Sequence, residues 1–294
     1  MDTELIKKLL EAGCHFGHNR SRWNPKMEKF IFGERSKIYI IDLEKTAECL
    51  KNAKEYLKEL ASRGESVLFV GTKKQAQDVI QTTAQETNMF FVKERWLGGT
   101  LTNFKTIRNS IKRLKDIETM QEDGTFQAIK KKERAILTKE MDKLKKNLSG
   151  IVGMKKMPGA VFVVDAKKEE IAVKEAKKLS IPIVAIIDTN SNPDLIDYPI
   201  PANDDAMRSI KFITDFLKEG ILEGKSESEK AGIIEKAKET KEEEGFKTEL
   251  DERSEKLVEN LDVEKKFEEK EEKKPAPKKR IYKTMSKGPG KDSK

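Results

Sequence analysis

The chain has 294 residues, with 60 Lys and Arg against 52 Asp and Glu, a formal charge of +8 and 38% of its residues charged. Only 36% are hydrophobic and 6% aromatic, below an average globular composition, so polar sequence dilutes the core somewhere. No apolar run approaches the roughly 18–20 residues that span a bilayer, Met1 to Leu10 lacks a secretory apolar region, and Cys14 and Cys49 form neither a disulfide framework nor a CxxC pair. A protein of the cytosol or an equivalent compartment, whose two cysteines are small core residues, is expected.

The dilution is local. Lys225 to Lys294 holds 20 basic and 19 acidic residues, which leaves 40 basic and 33 acidic in the first 224.

Leu5 to Ala12 reads as a short amphipathic helix, followed by an irregular stretch from Gly13 to Met27. Phe30 to Phe32 and Ile38 to Ile41 read as two short strands about a turn. Asp42 is placed to cap a helix from Leu43 to Ala61, whose apolar positions follow the 3.6 period, and Gly64 lies just past its end. Then comes an alternation: strand Val67 to Val70, helix Lys73 to Thr87, strand Met89 to Val92, and later strand Ala160 to Val164, helix Glu169 to Leu179, strand Ile183 to Ile187. These strands are continuous apolar runs without in-out alternation, the pattern of strands covered on both faces. The fold class is α/β, a doubly wound, mostly parallel sheet between helical layers. A last helix, headed by Asn203-Asp204-Asp205, runs to about Gly220.

One segment interrupts the alternation. Phe104, Ile107, Ile111, Leu114 and Ile117 step by three or four, as do Leu137, Met141, Leu144 and Leu148, with a polar turn at Gln121 to Thr125 between them. Two narrow apolar seams predict an antiparallel coiled-coil hairpin inserted at 104–150, between body segments 1–103 and 151–224. From Lys93 to Lys156 there are 17 basic and 8 acidic residues, a net of +9 that exceeds the charge of the whole body. The hairpin is therefore expected to be a protruding basic arm. Beyond it, 225–294 is expected to be a disordered or transiently helical extension, net −7 from Lys225 to Glu272 and +8 from Lys273 to Lys294.

The candidate chemistry is sparse. His15 and His18, beside Cys14, invite a metal reading, but no HExxH or CxxC partner motif accompanies them, and structural hydrogen bonding or RNA contact is preferred. Gly71-Thr72-Lys73-Lys74 follows a strand and opens a helix, a place that favours anions, yet it matches neither GxxxxGK[ST] nor GxGxxG. Asp165 and Asp188 close their strands where open α/β sheets bind ligands; N-capping is the plainer expectation. Trp96 beside Arg95, in a turn with Gly98 and Gly99, and Trp23 among Arg20, Arg22, Asn24 and Lys26, each pair an aromatic with charge as RNA contacts do. No catalytic residue, cofactor or metal ligand is assigned.

The same stretches closely resemble the bacterial-type family of the second protein of the small ribosomal subunit. They are Gly13 to His18, Trp23-Asn24-Pro25-Lys26-Met27, Ile41 to Thr46, Leu68 to Ala76, Arg95 to Phe104, Asp188-Thr189-Asn190 and Ile200 to Ala206, in the family's order across about Met1 to Gly224. The resemblance implies an α/β/α sandwich with an inserted coiled-coil hairpin and a non-enzymatic, ribosome-bound cytoplasmic role. It implies binding of small-subunit rRNA on the solvent side between head and body, and help in docking a larger RNA-binding ribosomal protein used in initiation. The expected RNA-facing residues are Arg20, Arg22, Trp23, Asn24, Lys26, Lys73, Lys74, Arg95, Trp96, Thr100, Asn103, Lys105, Arg108, Lys112, Arg113, Lys115, Lys130, Lys131 and Arg134. Two other classes compete: a doubly wound enzyme acting on a phosphorylated small molecule, and a protein-binding adaptor.

Overall fold

A computed structural model describes residues 3–228, apart from the side chains of 127 and 128. The expectations for the charged extension beyond residue 228 lie outside the described residues.

Helix α1 (Thr3–Glu11) leads into strand β1 (Phe16–Asn19), two 3₁₀ turns (Arg20–Arg22 and Pro25–Phe30), and strands β2 (Ile31–Arg35) and β3 (Ile38–Ile41). These three strands form a small antiparallel sheet in the order β1-β3-β2, with register shifts in both pairings. The stretch expected to be irregular thus holds a strand and two 3₁₀ turns. Asn19 and Asn24 cap those turns, their Oδ1 atoms accepting from the N–H groups of Ser21 and Lys26.

The body follows as α2 (Leu43–Ser62), β4 (Val67–Val70), α3 (Lys74–Glu86), β5 (Phe90–Val92), then β6 (Ala160–Val164), α7 (Glu170–Lys178), β7 (Ile183–Ile187) and β8 (Tyr198–Pro201). A last helix, α8, occupies 207–228. Between β5 and β6 lie α4 (Phe104–Glu122), the short α5 (Thr125–Ala128) and α6 (Lys131–Leu148). The sheet is wholly parallel in the order β5-β4-β6-β7-β8, so the chain reverses direction across the sheet between β4 and β6.

Two cores explain the unbroken apolar runs. Val67 and Phe69 of β4, Phe162 of β6 and Ile186 of β7 point into one core, against α1, α2, α3 and α8. Their neighbours Leu68, Val70, Val163 and Ile187 point into a second core with α7, Trp96, Met27 and Phe30. A strand buried on both faces has no polar position to reveal its period.

The root of the inserted helices belongs to this second core, through Ile107 and Ile111 of α4 and Leu148 at the end of α6. Further out, Leu114 and Ile117 are buried while Leu137, Met141 and Leu144 of α6 are half-buried. The helices are tied by Arg113, whose Nε and Nη2 donate to the two carboxylate oxygens of Glu140 at 3.1 and 3.2 Å.

Candidate nucleic-acid interface

Helix α4 presents its apolar stripe inward and leaves Lys105, Arg108, Lys112 and Lys115 on the surface. Together with Lys155 from the segment returning to β6, they line an open cleft of about 680 Å³ whose walls include Phe104, Ile111, Val152 and Met154. Among the described residues no acidic side chain lines it. Among the described residues none of these five cations has an ion-pair partner. Spacing dictates this gathering: positions 105, 108, 112 and 115 step by three or four along one helical face.

The other expected contacts divide by what already holds them. Arg22, Lys74, Arg95, Lys130 and Lys131 are exposed. Arg20 stands 3.5 Å from Glu34, and Lys26 reaches Asp194 at 2.5 Å. Trp23 is half-buried, its ring 5.1 Å from that of Tyr39, and Asn24 donates its backbone N–H to the Thr189 carbonyl. Arg22, Trp23 and Asn24 border a second cavity of about 400 Å³ with Lys167, Asn190 and Asn192. Asn103 is exposed and accepts from the Thr106 hydroxyl. Arg134 is half-buried and donates to the Ile129 carbonyl. Arg113 is exposed but committed to Glu140.

Three expected contacts turn inward instead. Trp96 is only 6% exposed, and its indole N–H donates to Glu175 Oε1 at 3.2 Å, so it offers no face on which a base can stack. Thr100 is buried and donates its hydroxyl to the Leu97 carbonyl. Lys73 is held by three carboxylates: Asp165 at 3.2 Å, Asp204 at 2.8 Å and Asp205 at 2.7 Å. Burial works against its charge, and those carboxylates more than restore it, raising its pKa. The Lys73 ammonium is thus committed to carboxylates within the fold. Gly71 serves packing, because a Cβ there would stand 2.9 Å from Ile80 Cγ1 and 3.2 Å from Ala76 Cβ of α3.

The organiser of the Gly98-Gly99 turn went unseen in the sequence. Glu175 on α7 accepts from the N–H groups of Gly99, Leu101 and Thr102 and the Thr102 hydroxyl as well as from Trp96. Burial pushes its carboxyl up, but these donors outweigh burial and hold it below the usual carboxylate range.

At the carboxyl edge of the sheet, loops after β4, β6, β7 and β8 bring Lys73, Asp165, Asp188, Asp204 and Asp205 together. Asp165 is not the helix cap expected of it: it accepts from the N–H of Lys168 in the turn that precedes α7, whose N-cap position is Glu169, whereas Asn203 accepts from the N–H groups of Asp205 and Ala206 ahead of α8. Asp188 does something else. Its Oδ2 lies 2.8 Å from His18 Nδ1, and its Oδ1 accepts the His18 backbone N–H. Gly17 permits that approach, since a Cβ there would sit 2.6 Å from Thr189 Cγ2 and 3.0 Å from the Tyr39 carbonyl oxygen. His15 lies apart, its ring 4.0 Å from that of Phe16.

A doubly wound body with an inserted pair of helices, enclosed polar groups that serve the fold, and unpaired cations gathered in one open cleft defines an α/β protein with a cationic binding surface. The family is narrower than that class. A family model described as ribosomal protein S2 matches residues 9–224, and the chain belongs to that family. It is accordingly a structural protein of the small ribosomal subunit, acting in translation.

Proposed function

We propose that the chain binds small-subunit rRNA chiefly by neutralising phosphates, with α4 and α6 serving as a coiled-coil arm laid along the RNA. The observation that carries this reading is the cleft along α4, where Lys105, Arg108, Lys112, Lys115 and Lys155 converge without a counter-charge. Five cations that no carboxylate satisfies attract a polyanion, and their flexible stems suit backbone contacts better than base readout. Arg22, Lys74, Arg95, Lys130 and Lys131 extend the cationic surface. Asn24, pinned to the Thr189 carbonyl, and Trp23, against Tyr39, set the shape of the loop that meets the RNA.

Family membership supports the wider role: a bridge between head and body on the solvent side of the subunit, and help in docking the larger RNA-binding ribosomal protein used in initiation. No catalysis enters this function. The testing experiment is sedimentation of cell extract through gradients of rising salt. Co-migration with small subunits that persists at moderate salt and is lost as salt rises supports the reading; a wholly free pool at low salt overturns it.

A further inference from the structure

We propose that the cavity beside Trp23 receives one unstacked nucleotide of the small-subunit rRNA, with its base on the Trp23 ring, its acceptor edge on Asn190 and Asn192, and its phosphate on Arg22 and Lys167. This rests on the rRNA-binding reading and adds to it a single-base contact that the cleft along α4 does not supply. The cavity of about 400 Å³ is walled by four stretches that the fold brings together: the 3₁₀ turns after β1, the segment from β6 into α7, the loop after β7 and the turn before β8.

Its aromatic wall is held in place. Tyr39 supports the Trp23 ring, with centroids 5.1 Å apart. The Asn24 N–H donates to the Thr189 carbonyl at 2.8 Å and Lys26 Nζ reaches Asp194 at 2.5 Å, so the loop that carries Trp23 is tied to the segment after β7. A ring fixed in this way loses little freedom when a base lies on it. Val173, Leu195 and Ile196 add apolar surface to the same cavity.

The polar groups are donors, and that selects the ligand. Asn192 Oδ1 accepts the Asp194 N–H at 3.2 Å and caps the turn Pro193–Leu195, while Asn190 Oδ1 accepts from the Ser191 hydroxyl at 3.1 Å. With both carbonyl oxygens committed, each side chain offers its NH₂ group. Among the described residues no partner takes either amide nitrogen or the head group of Arg22 or Lys167. Glu170, the one carboxylate of the described lining, pairs with Lys174 at 2.6 Å. Two amides and two cations call for an acceptor-rich anion, and Trp23 calls for a flat ring. A nucleotide joins those features, and a cavity of this size admits one splayed-out base rather than paired bases. Adjacent acceptors, as in cytosine O2 and N3 or guanine O6 and N7, suit two NH₂ donors. Adenine instead sets its amine beside N1 and N7. An acidic peptide would satisfy the cations and leave the ring idle.

Fluorescence titration of the full-length protein with single-stranded ribotrinucleotides tests this, since Trp23 and the buried Trp96 are its two tryptophans. We expect saturable quenching by the cytidine trimer, tighter than by the adenosine trimer and retained in Trp96→Phe. Asn190→Asp/Asn192→Asp keeps the oxygens that accept from Ser191 and Asp194 while replacing both donors with acceptors. It should melt like wild type and bind the cytidine trimer about tenfold more weakly or worse. Absence of quenching in wild type, no change in the double variant, equal binding of the two trimers, or displacement by an equimolar hexaglutamate peptide overturns the proposal. Filter binding of whole small-subunit rRNA to the same preparations separates it from the wider reading. Bound rRNA with no trimer quenching removes the pocket alone, whereas trimer quenching with no rRNA bound removes the phosphate reading and leaves the pocket.

Discussion

Glu175 on α7 accepts the indole N–H of Trp96, and the same carboxylate gathers the backbone of Gly99, Leu101 and Thr102. The contact fixes a loop 79 residues away in sequence and turns its tryptophan into the core. Glu175→Gln replaces one acceptor oxygen by an amide NH₂ that faces N–H groups. The substitution should cost about 2–3 kcal/mol, because it breaks a buried charge-assisted network. At roughly 2–4 °C per kcal/mol, calorimetry should show Tm falling by roughly 4–12 °C. Trp96→Phe tests the same point from the other side. It should lower Tm with rRNA affinity unchanged, whereas a tryptophan that stacked on a base would lose affinity instead.

The same carboxylate sets a pH dependence. Its folded pKa lies below its unfolded value near 4.3, so the folded state binds fewer protons between the two. The stability it contributes is complete above the unfolded pKa and is lost as pH falls through the lower folded one. The Tm difference between wild type and Glu175→Gln should be largest at pH 5–7 and shrink below about pH 4. Melting curves from pH 7 to pH 3 check this; a constant difference would remove Glu175 as its source.

Most of the sheet was legible because β4, β6 and β7 are buried on both faces and show as apolar runs with the observed bounds. Strand β8 escaped, since Pro199 and Pro201 argue against a strand; β8 is tolerable only because it lies at the sheet's edge. The groove cations were legible because helical spacing fixes which residues share a face. Trp96 and Lys73 were misleading for one reason: the carboxylates that draw them inward, Glu175 for Trp96 and Asp165, Asp204 and Asp205 for Lys73, stand far away in the chain, beyond the reach of any local pattern. Glu175 and the His18–Asp188 pair were invisible on the same ground.

Among the arm's basic residues, Arg113 must be separated from Lys112 and Lys115. Arg108→Glu, Lys112→Glu and Lys115→Glu combined should weaken rRNA binding and flatten the slope of log affinity against log salt by roughly 0.7 for each phosphate no longer neutralised. Tm should change little, since isolated surface substitutions stay within about 0.5 kcal/mol each. Filter binding from 50 to 200 mM salt, beside calorimetry, measures both. Arg113→Glu instead places a like charge against Glu140 and should loosen α4 from α6, with the swap Arg113→Glu/Glu140→Arg restoring the pair.

Cys14 is fully buried and meets the Ser209 hydroxyl at 3.2 Å; burial pushes its thiol up to about 11 despite that hydrogen bond. Cys49 is half-buried and also raised, chiefly by burial. Neither holds appreciable thiolate at neutral pH. In native protein at pH 8, Ellman's reagent should leave Cys14 unmodified over a period in which both thiols react fully in denaturant. Rapid native modification of Cys14 would show that α1 and the loop behind it open readily.

Gly17 decides whether β1 can reach the end of β7. In Gly17→Ala the new Cβ would meet Thr189 Cγ2 at 2.6 Å and the Tyr39 carbonyl oxygen at 3.0 Å, and neither neighbour is the far end of a flexible chain. Relief requires β1 to move outward, which breaks the His18 N–H contacts to Asp188 and Thr189. A cost of about 1–3 kcal/mol follows from overpacking, read as a fall in Tm. Thr189→Ser removes the methyl that clashes most while keeping the hydroxyl that accepts from His18. The double variant Gly17→Ala/Thr189→Ser should therefore recover part of the loss in a double-mutant cycle. Strict additivity would mean that β1 is not held by this contact, and that His18 reaches Asp188 for some other reason.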